Sequence, residues 1–140
     1  MVGIDPWQLS LELARQDMSA SRLGSRVTLR QTRIETFEDD EGFDLVWMPV
    51  IFLRRAILED AVARAVGAMR PGAEIVLGRY CGSDDPLVGA LGDLRTIRSG
   101  GTLLNPSDTR ALLEGAGLVD VREIDRTWPA PIGLTAGRRP

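Results

Sequence analysis

The chain has 140 residues, 44% hydrophobic and 26% charged, with a formal net charge of −3, the composition of one soluble domain that buries roughly 68% of its unfolded surface. It contains no histidine, no lysine (all 17 basic residues are arginine) and a single cysteine, Cys81, which excludes histidine-based triads, His-ligated or multi-thiolate metal sites, Schiff-base chemistry, a P-loop lysine and internal disulfides. Arginine interspersed with Asp and Glu forms no basic face for nucleic acid, and the absence of a long apolar run or a leader pattern predicts a cytoplasmic protein with no membrane partner.

Met1-Val2-Gly3-Ile4-Asp5 reads as an apolar strand that ends on an acidic residue and passes at once into a helix, with no strand or glycine-rich turn ahead of it. Asp5-Pro6 predicts a helix N-cap followed by proline at the first helical position, with Leu9, Leu13 and Ala14 on the apolar face of a helix ending near Met18. Val27-Thr28-Leu29, after Gly24, is a short second strand, and residues 35–42 form an acidic connection in which Glu38-Asp39-Asp40-Glu41 is a solvated run. Phe43-Asp44-Leu45-Val46-Trp47-Met48 is nearly continuously apolar, the pattern of a central strand buried on both faces of a parallel sheet.

Across residues 55–69, Leu58, Val62, Ala65, Val66 and Met69 line one helical face, with Arg70-Pro71-Gly72 as the stop and residues 73–77 as the next strand. Gly82-Ser83-Asp84-Asp85-Pro86 is a loop that caps a helix over residues 86–97, broken by Gly100-Gly101. Asn105-Pro106-Ser107-Asp108 combines an N-cap, an N1 proline and an acidic third residue, so a helix covers residues 106–116. Residues 119–124 and 132–136 are two late strands. Their link through Trp128-Pro129-Ala130-Pro131 holds no helix and is too short for a parallel crossover, which predicts an antiparallel pair.

This order of elements resembles the class I S-adenosylmethionine-dependent methyltransferases over essentially the whole chain. Gly3-Ile4-Asp5-Pro6-Trp7 is similar to their ribose-binding strand end, Phe43-Asp44-Leu45-Val46-Trp47 to their fourth strand, and Met69-Arg70-Pro71-Gly72-Ala73 to the turn before their fifth. Ala111-Leu112-Leu113-Glu114-Gly115-Ala116-Gly117-Leu118 is similar to the helix before their sixth. The resemblance implies an α/β fold with a Rossmann-like sheet, three-layer αβα, closed by a terminal antiparallel strand pair. It makes residues 1–140 a single, incomplete domain, amino-terminally truncated because the family's first strand and glycine-rich loop are not represented.

Carried over residue by residue, the resemblance has Asp5 accepting hydrogen bonds from the cofactor ribose and Trp7 lying near adenine or ribose. Trp47, Met48 and Pro49 become the wall beside the transferred methyl group. Where the family places an acidic residue near the adenine amino group, this chain has Arg33-Ile34-Glu35. Arginine cannot accept that bond, which leaves Glu35 or an Ile34 backbone group. Each assignment has a structural counterpart: Asp5 as a helix cap, Trp7 and Trp47 as packing residues, Met48 as core. No catalytic residue is assigned, and Tyr80 and Asp84 are not read as catalytic, because methyl transfer from a sulfonium rests mainly on in-line positioning.

The resemblance further implies a small-molecule methyl acceptor, and weak or absent S-adenosylmethionine binding by this chain alone, since the glycine-rich turn meets the methionine half. Uncovered strand edges beside the missing strand predict marginal stability or a homodimer that completes the sheet. A non-catalytic interaction or assembly module is the alternative. The third reading, half of a nicotinamide-dependent dehydrogenase, shares the acidic strand end; the late hairpin and Arg70-Pro71-Gly72 speak against it.

Overall fold

The computed structural model describes residues 1–140 except Ala20, Arg22, Leu23, Asp40, Glu41, Asp84 and Trp128. Readings that fall on Asp40, Glu41, Asp84 and Trp128 lie outside the described residues. The chain divides into two compact units, Met1–Glu38 and Asp39–Pro140.

The first unit is a β-α-β arrangement. Strand β1 (Val2–Asp5) leads into helix α1 (Gln8–Ser19) and returns as β2 (Thr28–Gln31), parallel to β1 in a register that runs from Val2 opposite Thr28 to Asp5 opposite Gln31. The helix begins at Gln8, two residues later than the Asp5-Pro6 pattern predicts. Asp5 is still paired with Gln31 as strand, and its carboxylate closes a turn onto the Trp7 N–H at 2.7 Å, so Pro6 sits ahead of the helix. The predicted apolar face is also corrected. Leu11 is the buried residue of α1, while Leu9 and Leu13 are exposed. Two residues on either side of Leu11 is nearly the opposite side of a helix with 3.6 residues per turn.

The second unit contains β3 (Phe43–Pro49), α2 (Leu58–Gly67), β4 (Met69–Tyr80), α3 (Pro86–Arg98), α4 (Pro106–Gly115), β5 (Val119–Ile124) and β6 (Ile132–Arg138). The sheet order is β3-β4-β6-β5. β3 runs parallel to β4, and β6 lies antiparallel between β4 and β5, so the two late strands are antiparallel neighbours as their short link requires. Asn105 caps α4 through the reciprocal bonds of a capping box with Asp108, again as the sequence predicts.

Two expectations for this unit change. Arg70-Pro71-Gly72 does not follow the helix as a loop: α2 ends at Gly67, and Met69 already pairs with Phe43. Because Leu45 pairs with Glu74, the intervening β4 residues form a bulge, with Gly72 at φ +81°. The Arg139 side chain donates to the carbonyls of Val66, Gly67 and Met69, placing a cation on the carboxyl end of α2, where the helix dipole favours it. The second correction concerns β3, which is an edge of the described four-stranded sheet and not a strand covered on both faces. Leu45 and Trp47 are exposed, while Val46 and Met48 point the other way, the alternation of a strand covered on one side.

The covered side holds the core: Met48, Ile75 and Leu77 from the sheet against Leu58, Ala61, Val62 and Ala65 of α2 and Leu113 of α4. It also holds a polar chain. Arg79 on β4 reaches across Gly133 on β6 to Glu123 on β5, with Nη2 donating to Oε2 at 2.9 Å. A Cβ at position 133 would lie 2.9 Å from the guanidinium carbon, so glycine is what lets the side chain cross. Thr135 Oγ1 donates to the other Glu123 oxygen at 2.5 Å, and Thr109 Oγ1 on α4 lies 2.7 Å from Thr135 Oγ1. Thr109 Oγ1 also lies 3.0 Å from the Pro106 carbonyl, a donor position that ties the polar chain to the first turn of α4.

Removing the shared acceptor strands two buried donors. Glu123→Ala should lower unfolding free energy by about 2 kcal/mol, and Glu123→Gln, which still accepts from Arg79 and is neutral, by about half as much. Urea unfolding followed by circular dichroism tests this; a loss below about 0.5 kcal/mol for Glu123→Ala would mean that the chain contributes little.

Candidate functional site

In open α/β sheets, ligands meet the carboxyl ends of the parallel strands, where the backbone runs out and side chains converge. In the first unit that end is Asp5 and the residues after it. Asp5 is half-buried, with one carboxylate oxygen bonded to Trp7 N–H; the Gln31 amide, its neighbour across the strands, donates to Pro6 O at 3.3 Å. This anchors the turn, and among the described residues the second Asp5 oxygen has no hydrogen-bond partner. The Trp7 side chain is exposed. After β2, residues Ile34–Thr36 form a single 3-10 turn. The Ile34 carbonyl accepts from Phe37 N–H at 3.2 Å and the Arg33 carbonyl from Thr36 N–H at 3.2 Å, so those two acceptors serve the turn. Glu35 is half-buried in its first position but one.

In the second unit, Trp47 and Met48 lie on opposite sides of β3. Trp47 is 54% exposed and Met48 only 6%, so the Met48 side chain is a core group and the Trp47 indole faces outward. The indole lies over Gly78 on β4, where a Cβ would come within 2.3 Å of its Cη2. A bare backbone position two residues beyond the Trp47 partner Val76 therefore makes room for the benzo end of the indole.

A cleft of about 280 Å³ also opens in this unit, lined by Tyr80, Gly82, Asp93, Leu103, Leu104, Asn105 and Asp108. Tyr80 packs its hydroxyl against Gly92 of α3. Sequence reasoning stops at Tyr80: Asp93 sits inside a helical pattern and Asn105 and Asp108 read as caps, so nothing in their spacing marks a shared cleft. Among the described residues no group of three or more Cys, Asp or Glu side chains could hold a metal ion, and no helix is long and apolar enough to cross a membrane.

No protein-family model and no curated protein sequence matches this chain; the likeness to known proteins is structural. The S-adenosylmethionine-dependent methyltransferase SibL, solved in its apo form, superposes with a TM-score of 0.80 at 23% identity, over 99% of this chain and 43% of its own. An O-methyltransferase family protein from Burkholderia thailandensis gives 0.78 at 21%, over 99% and 43%. Human N-acetylserotonin methyltransferase, in complex with S-adenosylmethionine, gives 0.77 at 17%, over 99% and 40%. The chain thus spans less than half the length of each. Its fold is that of the class I S-adenosylmethionine-dependent methyltransferases, with the antiparallel β6 inserted between β4 and β5. Among the described elements none corresponds to the first strand and glycine-rich loop of that fold.

Gly78→Ala should push the Trp47 indole off the strand. Because the ring is the end of an exposed side chain it can swing clear, so the stability loss should stay below about 1 kcal/mol while the tryptophan emission shifts to longer wavelength. Unchanged emission would show that the indole does not rest on Gly78.

Proposed function

We propose that this chain carries the nucleoside side of an S-adenosylmethionine site in a methyltransferase that acts on small molecules. The observation behind the reading is Asp5, an acidic residue at the carboxyl end of a parallel strand, held by its own turn with one oxygen directed to the backbone and one left for a ligand. A carboxylate offers acceptors to the vicinal hydroxyls of a ribose, and the exposed Trp7 indole two residues on offers an apolar surface to a purine. Ile34 and Glu35, in the turn after β2, are the groups proposed to meet adenine; the outward Trp47, in the second unit, is a separate candidate for ligand contact. Met48 contributes by packing behind Trp47's strand.

The glycine-rich loop that receives the methionine half in this fold is not among the described elements, and the chain alone should hold the nucleoside weakly. A non-catalytic assembly role is the second reading, favoured by the exposed Leu45 and Trp47 on β3.

Calorimetric titration separates the two. With only the nucleoside side present, adenosine and S-adenosylhomocysteine should bind with similar constants, no tighter than roughly 0.1 mM, and 2′-deoxyadenosine more weakly. Asp5→Ala should weaken adenosine about tenfold, the worth of one charge-assisted bond. A micromolar constant for S-adenosylhomocysteine would show that the methionine half is also recognised, and an adenosine constant unmoved by Asp5→Ala would assign Asp5 to its turn alone. Absence of any nucleoside binding would favour the assembly role.

A further inference from the structure

Helix α3 is built inside out. Its attachment to the rest of the unit runs along small residues: a Cβ at Gly92 would fall 2.0 Å from the Tyr80 hydroxyl, one at Gly89 would touch Ser83 backbone, and Thr96 is the buried residue of the helix. At 100° per residue, positions 89, 92 and 96 form one stripe, and the opposite stripe is Leu87, Leu91, Leu94 and Arg98, flanked by Ala90 and Ile97. Leu87 is 69% exposed, Leu91 51%, Leu94 50% and Ile97 58%. Large apolar residues at i, i+4, i+7 and i+10 normally face a core. Here the glycines do that and the leucines face solvent.

We propose that this stripe is the seam of a two-fold dimer in which α3 of one chain packs antiparallel on α3 of a second copy. The pattern is self-complementary. A two-fold axis through the middle of the helix sets Leu91 against Leu94 and Leu87 against Arg98, as isologous pairing demands. Charge agrees with this direction: Arg95 and Arg98 stand in the last turn, and the acidic Asp85 caps the first. Antiparallel pairing brings each basic end level with the partner's acidic end and opposes the two helix dipoles.

Size agrees as well. The stripe exposes on the order of 400 Å² of apolar surface, the size of the largest and often functional patch on a small protein, and two copies with their flanks approach the roughly 1,000 Å² of a modest specific contact. The association is therefore weak, concentration-dependent and separate from any pairing of open sheet edges.

Sedimentation velocity of the whole chain across about 1 to 200 μM should show a monomer–dimer equilibrium. The double variant Leu91→Glu/Leu94→Glu, at half-exposed positions, should keep the native circular dichroism and stay monomeric throughout, weakening association at least a hundredfold; Arg98→Glu should weaken it severalfold. Leu45→Glu, on the exposed side of β3, should dimerise as the parent does. A parent chain monomeric at every concentration would overturn the proposal, as would a dimer that survives the double variant or one that Leu45→Glu abolishes.

Discussion

The strand order of the second unit hangs on one crossing: the Arg79 side chain passing over Gly133 to reach Glu123. β6 is the last strand in sequence yet sits between β4 and β5, a position that backbone ladders alone leave open to slippage, because a shift of one residue turns every side chain over. The crossing ties all three strands at one level, and Thr135 and Thr109 carry the tie up to α4. Any other register would leave a guanidinium buried without its carboxylate, a cost several times that of an ordinary lost hydrogen bond. Even so, the pairing is incomplete, since the buried Arg79 Nε has no partner among the described residues.

A second set of ion pairs works at the margins of the same sheet. Arg138 holds Asp120, a non-glycine residue at positive φ where β5 departs from regular register with β6. Arg122 reaches Glu74 across β6, and Arg70, in the β4 bulge, meets Asp44 of β3. These pairs are largely exposed and individually worth less than about 1 kcal/mol. Their positions matter more than their energies: each lies beside a bulge or spans a neighbouring strand, where an irregular ladder needs its alignment fixed from the side.

Much of this architecture is legible in the sequence because its signals are local. Asn105 and Asp108 announce α4 by themselves, and the helix-free stretch before Ile132 forces β5 and β6 antiparallel whatever else the chain does. The errors fall where a tertiary partner decides. Phe43 to Met48 is apolar enough for a strand covered on both faces, but hydrophobicity cannot say whether a neighbour is present, and Leu45 and Trp47 are left facing outward. Arg70-Pro71-Gly72 has the composition of a helix stop, yet Met69 is drawn into β4 by pairing with Phe43, and the same three residues become a bulge. Asp5 was legible as an acidic strand end and a helix cap; that it instead closes a turn onto Trp7 N–H ahead of the helix is a fact of geometry. The cleft by Tyr80 gave no sequence signal, because its polar residues come from a helix face and a cap with separate local reasons to exist.

The attachment of α3 has a mechanical consequence. The helix's two ends are closed by its own caps: Asp85 accepts from Leu87 and Val88 N–H, and Gly100 and Gly101 bond back to the Ile97 and Thr96 carbonyls. Between the caps, glycine and threonine supply little interlocking relief to resist sliding or rolling. Capped at both ends and joined to the sheet through small residues, such a segment should open as one cooperative piece before the sheet beneath it unfolds. Its amide protons should then exchange together, at a common rate faster than those of β4.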